Sequence, residues 1–227
     1  MTVPQMLHLA DEGEAADLAA FLGRLLHYDR GAAVRLQAAG TALAVFGRPP
    51  SFEVLAIRAV RLEKPYEDGL DRTLDVTVSA GELLESVDET AATAVAPGAV
   101  TGPPWAGVLP PRGGWRAEPG LPAPDALRTM VAASVAEFRS RTQELAPELR
   151  TRAELDRIGR EIWSRAVADT GLPVRAVHAA QSLGFLRPGG QGGLGLFSSG
   201  AWLRLRTPYG SVAVRTAGLG TLGLSVR

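Results

Sequence analysis

The sequence predicts an α+β protein of two lobes, and three observations carry that prediction. Apolar residues recur at helical spacing in the first 28 positions, then at alternate positions between about 33 and 78. Helical spacing returns after residue 124 and gives way to alternation at 201–215. Between these regions, residues 97–124 hold eight prolines and six glycines in 28 positions, which interrupts regular structure. The lobes are therefore expected at 1–96 and 125–227.

In the first lobe, Leu18, Phe21, Leu22, Leu25 and Leu26 fall three and four apart and predict a helix from about Glu12 to Tyr28. Gly31 breaks it. Val34 and Leu36 alternate with Arg35 and Gln37, Ala39-Gly40 supplies a turn, and Leu43 and Val45 follow in a second strand ended by Pro49-Pro50. Phe52 to Leu62 has few polar interruptions and reads as a third, central strand. Leu74, Val76 and Val78 form a fourth. The spacing of Ser79 and Glu82 is that of a capping box, so a short helix follows. The result is a helix, an antiparallel meander and a helix.

The Pro/Gly-rich stretch also carries Trp105, Val108, Leu109 and Trp115. Side chains of this kind favour an extended strap packed across the lobes; the alternative is a proline-rich ligand segment for another protein.

In the second lobe, Pro124-Asp125 opens a helix with Leu127, Met130, Val131, Val135 and Phe138 on one stripe. Thr151 and Glu154 form a second capping box. On that helix Asp156/Arg160, Arg157/Glu161 and Glu161/Arg165 lie four apart and should pair. A short helix over Pro173–Leu183 ends at Gly184 and presents Arg175, His178, Ala179 and Ser182 on one face. A hairpin closes the lobe. Leu203 and Leu205 alternate with Trp202, Arg204 and Arg206, Thr207-Pro208-Tyr209-Gly210 turns the chain, and Ser211, Ala213 and Arg215 alternate with Val212 and Val214.

Charge sharpens the functional reading. Net charge is zero, yet no acidic residue follows Asp169, while Arg175, Arg187, Arg204, Arg206, Arg215 and Arg227 do. Residues 1–120 carry 10 basic and 16 acidic groups, against 14 and 8 in residues 121–227. Twenty-three arginines against one lysine, with no asparagine, reads as genomic composition rather than selection for arginine chemistry. Absence of cysteine excludes disulfides, thiolate nucleophiles and iron–sulfur ligation. Met1 to Asp17 has no basic residue and no long apolar core, and no run of about 18 apolar residues occurs. The expectation is a soluble cytoplasmic protein with no membrane association.

Helix, helix, short helix and hairpin over about residues 151–216 resemble a winged helix-turn-helix in element order. That resemblance implies a recognition helix at Pro173–Leu183 offering Arg175, His178 and Ser182 to a major groove. It also implies a wing whose Arg204, Arg206 and Arg215, with Trp202 beside them, meet phosphates.

Other motifs point nowhere specific. Gly190–Gly195 and Gly218–Gly223 match the dinucleotide fingerprint as text, but the first follows a helix and precedes a strand, the second runs out of chain, and neither has an acid downstream. The loop at Glu63–Arg72 clusters four carboxylates without calcium-loop spacing. His27 suits a helix C-terminus, and Ser198-Ser199 lacks nucleophile-elbow spacing. No catalytic residue, metal or cofactor is assigned. The expectation is a non-catalytic binding protein whose hairpin face engages an anionic partner, a nucleic acid or an acidic protein. A self-associating scaffold, with the oppositely charged halves paired in a homo-oligomer, is the alternative, and an enzyme of unidentified type the second.

Overall fold

Asp11 starts the first helix by accepting the Glu14 amide on its carboxylate at 2.9 Å, which satisfies one of the unpaired N–H groups of the first turn. Strand β1 (Gln5–His8) precedes that helix, α1 (Glu12–Tyr28), which buries Leu18, Phe21, Leu22 and Leu25. There follow β2 (Ala33–Ala39), β3 (Ala42–Gly47), β4 (Leu55–Arg61), β5 (Asp75–Ser79), α2 (Ala80–Glu85) and β6 (Thr93–Ala96). The remaining elements are β7 (Arg116–Glu118), α3 (Pro124–Glu144), α4 (Arg152–Trp163), α5 (Val174–Ser182), β8 (Gly195–Ser199), β9 (Trp202–Thr207) and β10 (Gly210–Arg215). This computed structural model describes residues 5–63, 74–188 and 193–216.

The α+β class holds, with the strands arranged in one large sheet. Eight antiparallel strands run in the order β5-β2-β3-β4-β10-β9-β8-β7, and β1 pairs with β6 apart from them. Four of the eight come from each half of the chain. The join is β4 against β10, with Ile57 opposite Ser211, Ala56 opposite Val212 and Leu55 opposite Ala213. Leu55, Ala56, Ile57, Arg58 and Val60 are all buried, which suits a central strand covered on both faces.

The meander differs from expectation at its last strand. β5 returns to pair with β2, leaving the edge of β4 to β10. Exposed Asp75 and half-buried Thr77 fit β5 to the sheet edge. The third strand also starts later than Phe52. Pro49 and Pro50 withhold two amides and introduce a 3-10 turn at Pro50–Phe52, after which Glu53 is left-handed at φ 52°.

One face of the sheet packs against helices. Val34, Leu36, Val45, Val60, Leu205 and Val212 join Leu18, Phe21, Val131 and Val177 in one core. On this layer α5 buries Val174, Ala176, Val177, Ala179 and Ala180. That corrects the winged-helix reading: α5 lies on the sheet with His178 held against Trp163 and Phe52, and both hairpin strands have sheet neighbours, so neither projects as a wing.

Residues from the Pro/Gly-rich stretch cross the other face. The Val100 amide donates to the Thr77 carbonyl at 2.9 Å, and Arg35 Nη1 donates to the Ala106 carbonyl at 2.7 Å. Trp105 and Leu109 then pack with Trp202 over Phe46, Leu55, Ile57 and Ala213.

Arg58 ties the halves together on the helix side. It is 5% exposed, pairs with Glu14 at 2.8 Å and Asp17 at 3.3 Å, and donates to the Tyr209 carbonyl at 2.8 Å. Asp17 also takes Arg187 at 2.6 Å. A buried cation needs such compensation. Arg58→Met should cost about 3–5 kcal/mol in urea unfolding, the penalty for breaking a buried pair from one side. Arg61→Met, whose side chain is 69% exposed although it meets Asp11 and Glu14, should cost much less.

Gly210 opens β10 beneath Phe185, and a Cβ there would sit 2.5 Å from the ring. Gly210→Ala should therefore destabilise by about 1–3 kcal/mol through overpacking, read as a lower thermal midpoint. Gly107→Ala, where nothing lies within 4 Å of an added Cβ, is the matched control.

Candidate anion-binding groove

Two of the six tail arginines face acids of the first half. Arg187 bonds Asp17 and stacks 4.2 Å from the centre of the Tyr209 ring, and Arg175 Nε lies 4.0 Å from Glu53. Arg227 lies outside the described residues, as do Gly218–Gly223, Gly190–Gly192 and all of the acidic loop except Glu63. Arg204, Arg206 and Arg215 remain, and among the described residues none of them has a carboxylate within 4.0 Å.

Alternation along β9 and β10 turns Arg204, Arg206 and Ser211 to the strap side. Cross-strand pairing then places Arg204 beside Phe197 of β8, and Arg206 beside Ser211 and Gly195. From above, Trp115 brings its ring centre to 5.6 Å from the Arg204 guanidinium. The Trp115 Nε1–H donates to the Pro111 carbonyl at 3.0 Å, which fixes the ring on the strap. Together these residues line a groove of about 570 Å³ to which no carboxylate contributes among the described residues.

Arg204 is the anomaly in this groove. Its Nη2 donates to Ser211 Oγ at 3.0 Å, but its buried Nε has no hydrogen-bond partner. Burial, and then the charge of Arg206, push its pKa below the ordinary arginine value. A guanidinium does not lose its proton in proteins, so a half-buried cation stands here without a counterion. The tryptophan face returns part of the lost solvation.

The other expected site residues lie elsewhere. Arg215 is exposed and pairs in register with Trp202, at the far end of the same face, about 13 Å along the strands. Trp202 is half-buried and packs, like Trp105 and Leu109, against the cluster of Phe46, Leu55, Ile57 and Ala213. Ser182 ends α5. His178 stacks on Trp163 at 4.7 Å and meets the edge of Phe52 at 5.1 Å, and burial pushes its pKa down. Arg175 borders a separate cleft of about 680 Å³ with Arg152, Arg160 and Trp163, where Glu53 and Asp156 add opposite charge.

On α4, Glu161 pairs with Arg157 and Arg165 at 3.7 and 3.5 Å, while Asp156 turns to Arg152 instead of Arg160. The groove residues that sequence reasoning missed are Trp115 and Phe197. Trp115 announced itself only as an apolar side chain in a proline-rich stretch. Phe197 sits in a short strand flanked by glycine and serine.

Two family models match the chain. Residues 2–107 match one described as a domain of unknown function (DUF8010), and residues 110–219 match a second described in the same terms (DUF8185). The boundary between them falls inside the strap, so the β4–β10 pairing joins the two matched regions. No curated protein and no solved structure matches. No helix of the described residues is long and apolar enough to cross a membrane.

His178 gives this region a pH dependence. Its folded pKa lies below the ordinary value of 6.5, so between the two values the unfolded chain binds the extra proton. Stability from the neutral, buried ring is therefore present above about 6.5 and declines as pH falls below it. His178→Phe, which preserves the stack, should flatten this part of the profile in urea melts between about pH 7.5 and 5.

Proposed function

We propose that this chain is a non-catalytic binding protein that takes an anionic partner on the strap side of its sheet, at Arg204 and Arg206. The single observation that carries the reading is Arg204, a half-buried guanidinium on the groove lining with no carboxylate within 4.0 Å among the described residues. Within the same sheet Arg58 meets two carboxylates and a carbonyl. An anion in the groove would supply what Arg204 lacks, and its oxygens would meet preorganised donors. Exposed Arg206 adds a second charge two residues along the same face.

With a net charge of zero, attraction to an anion arises from this local field and not from the molecule as a whole. Pairing of Arg187 with Asp17 within the chain also absorbs part of the opposite charge that self-association would otherwise use.

Heparin titrations across a salt series test the reading. Arg204→Ala/Arg206→Ala should lower affinity and reduce the slope of log K against log salt by about two units, roughly one per lost contact. Arg152→Ala/Arg160→Ala, which removes two arginines from the other cleft, should leave the slope unchanged. Equal slopes and affinities for the wild type and the groove variant would refute the proposal.

A further inference from the structure

The groove offers more than charge, and its composition narrows the partner. Resting on the anion-binding reading above, we infer that the ligand is a nucleoside phosphate, its phosphate held by Arg204 and Arg206 and its base stacked on Trp115. It is bound either as a free nucleotide or as one unit of a single strand.

Trp115 lies against the Arg204 guanidinium from the strap, and Phe197, from the neighbouring strand, lines the same groove. A bare anion would have no use for two aromatic side chains, and an acidic protein side chain carries no ring to place on them. A base does, because each has a π-face and stacking tolerates any sequence. Trp115 is half-buried, anchored through Nε1 to Pro111, so little of its freedom remains to be lost on binding.

Ser211 completes the phosphate side. Its hydroxyl oxygen accepts from Arg204, which leaves the hydroxyl proton to donate to a phosphate oxygen. At about 570 Å³ the groove is of the size that holds one small ligand. A duplex keeps its bases stacked inside the helix, so it could offer phosphates here but not a ring. Among the described residues no carboxylate lines the groove to repel the phosphate.

The test follows tryptophan fluorescence and affinity of the full chain against four probes at one salt concentration: an oligothymidylate of about 12 nucleotides, the same oligomer annealed to its complement, adenosine monophosphate, and inorganic tripolyphosphate. A nucleotide-bearing single-stranded probe should quench fluorescence and bind about tenfold or more tighter than tripolyphosphate or duplex. Trp115→Ala should remove that advantage while keeping the salt slope, and Trp115→Phe should retain part of it.

Tight binding of the monophosphate identifies a free nucleotide as the source, and binding by the oligomer alone identifies a strand; both support the inference. If tripolyphosphate binds as tightly as either nucleotide probe, or Trp115→Ala binds the oligomer like the wild type, the inference falls while the anion site stands. If none of the four probes binds, the anion site falls with it.

Discussion

Three residue pairs between β4 and β10 hold this architecture together, because they convert two four-stranded sets into one eight-stranded sheet. Everything on either side of the sheet depends on that join. On the helix side it brings the carbonyl of Tyr209 to Arg58, and so adds an acceptor to a buried charge. On the strap side it makes one continuous floor from Phe46 and Ile57 to Ala213, over which Trp105 and Leu109 lie. The strap can carry Trp115 to Arg204 because the floor beneath it is unbroken.

The sheet holds two arginines in contrasting circumstances. Arg58, facing α1, is buried among Glu14, Asp17 and a carbonyl. Arg204, facing the strap, has one serine hydroxyl and the face of a tryptophan. The first arrangement neutralises its charge with two carboxylates, although the Arg58 Nε has no hydrogen-bond partner. The second leaves donor capacity unused in a place where water reaches only part of the group, the kind of incomplete satisfaction that marks binding sites more often than packing sites. Their different surroundings follow from strand alternation, since they lie on opposite faces of neighbouring parts of the same sheet.

Local signals in the sequence proved readable wherever the cause was local. Helical spacing and Asp11 set α1 at Glu12–Tyr28, and the Ser79 and Thr151 caps both accept the amide three residues on. The turn at Thr207–Gly210 joins two alternating strands at the expected place. What alternation could not supply was partnership. Nothing in β4 names β10 as its neighbour, and the sheet order depends on contacts far apart in sequence. The strands β1, β6, β7 and β8 are three to five residues long, too short for a period to emerge. The same limit applied at the groove: alternation put Arg204, Arg206 and Ser211 on one face, but Trp115 reaches them from a proline-rich segment without periodicity. It also misassigned α5, whose small alanines let it pack closely on the sheet where an outward face had been read.

β10 is the last strand of the described residues and the fifth in the sheet, and this order has a consequence for the emerging polypeptide. About 150 residues separate Ile57 from its partner Ser211, so synthesis at about 5–20 residues per second leaves the open side of β4 waiting roughly 8–30 s. A bare, apolar strand edge is a template for pairing with other chains, and long-range closure of this kind is slow. During that interval Arg58 serves a second purpose. A charge in the middle of the strand makes intermolecular docking costly until β10 arrives with the Tyr209 carbonyl, so the residue that later secures the seam also guards it beforehand.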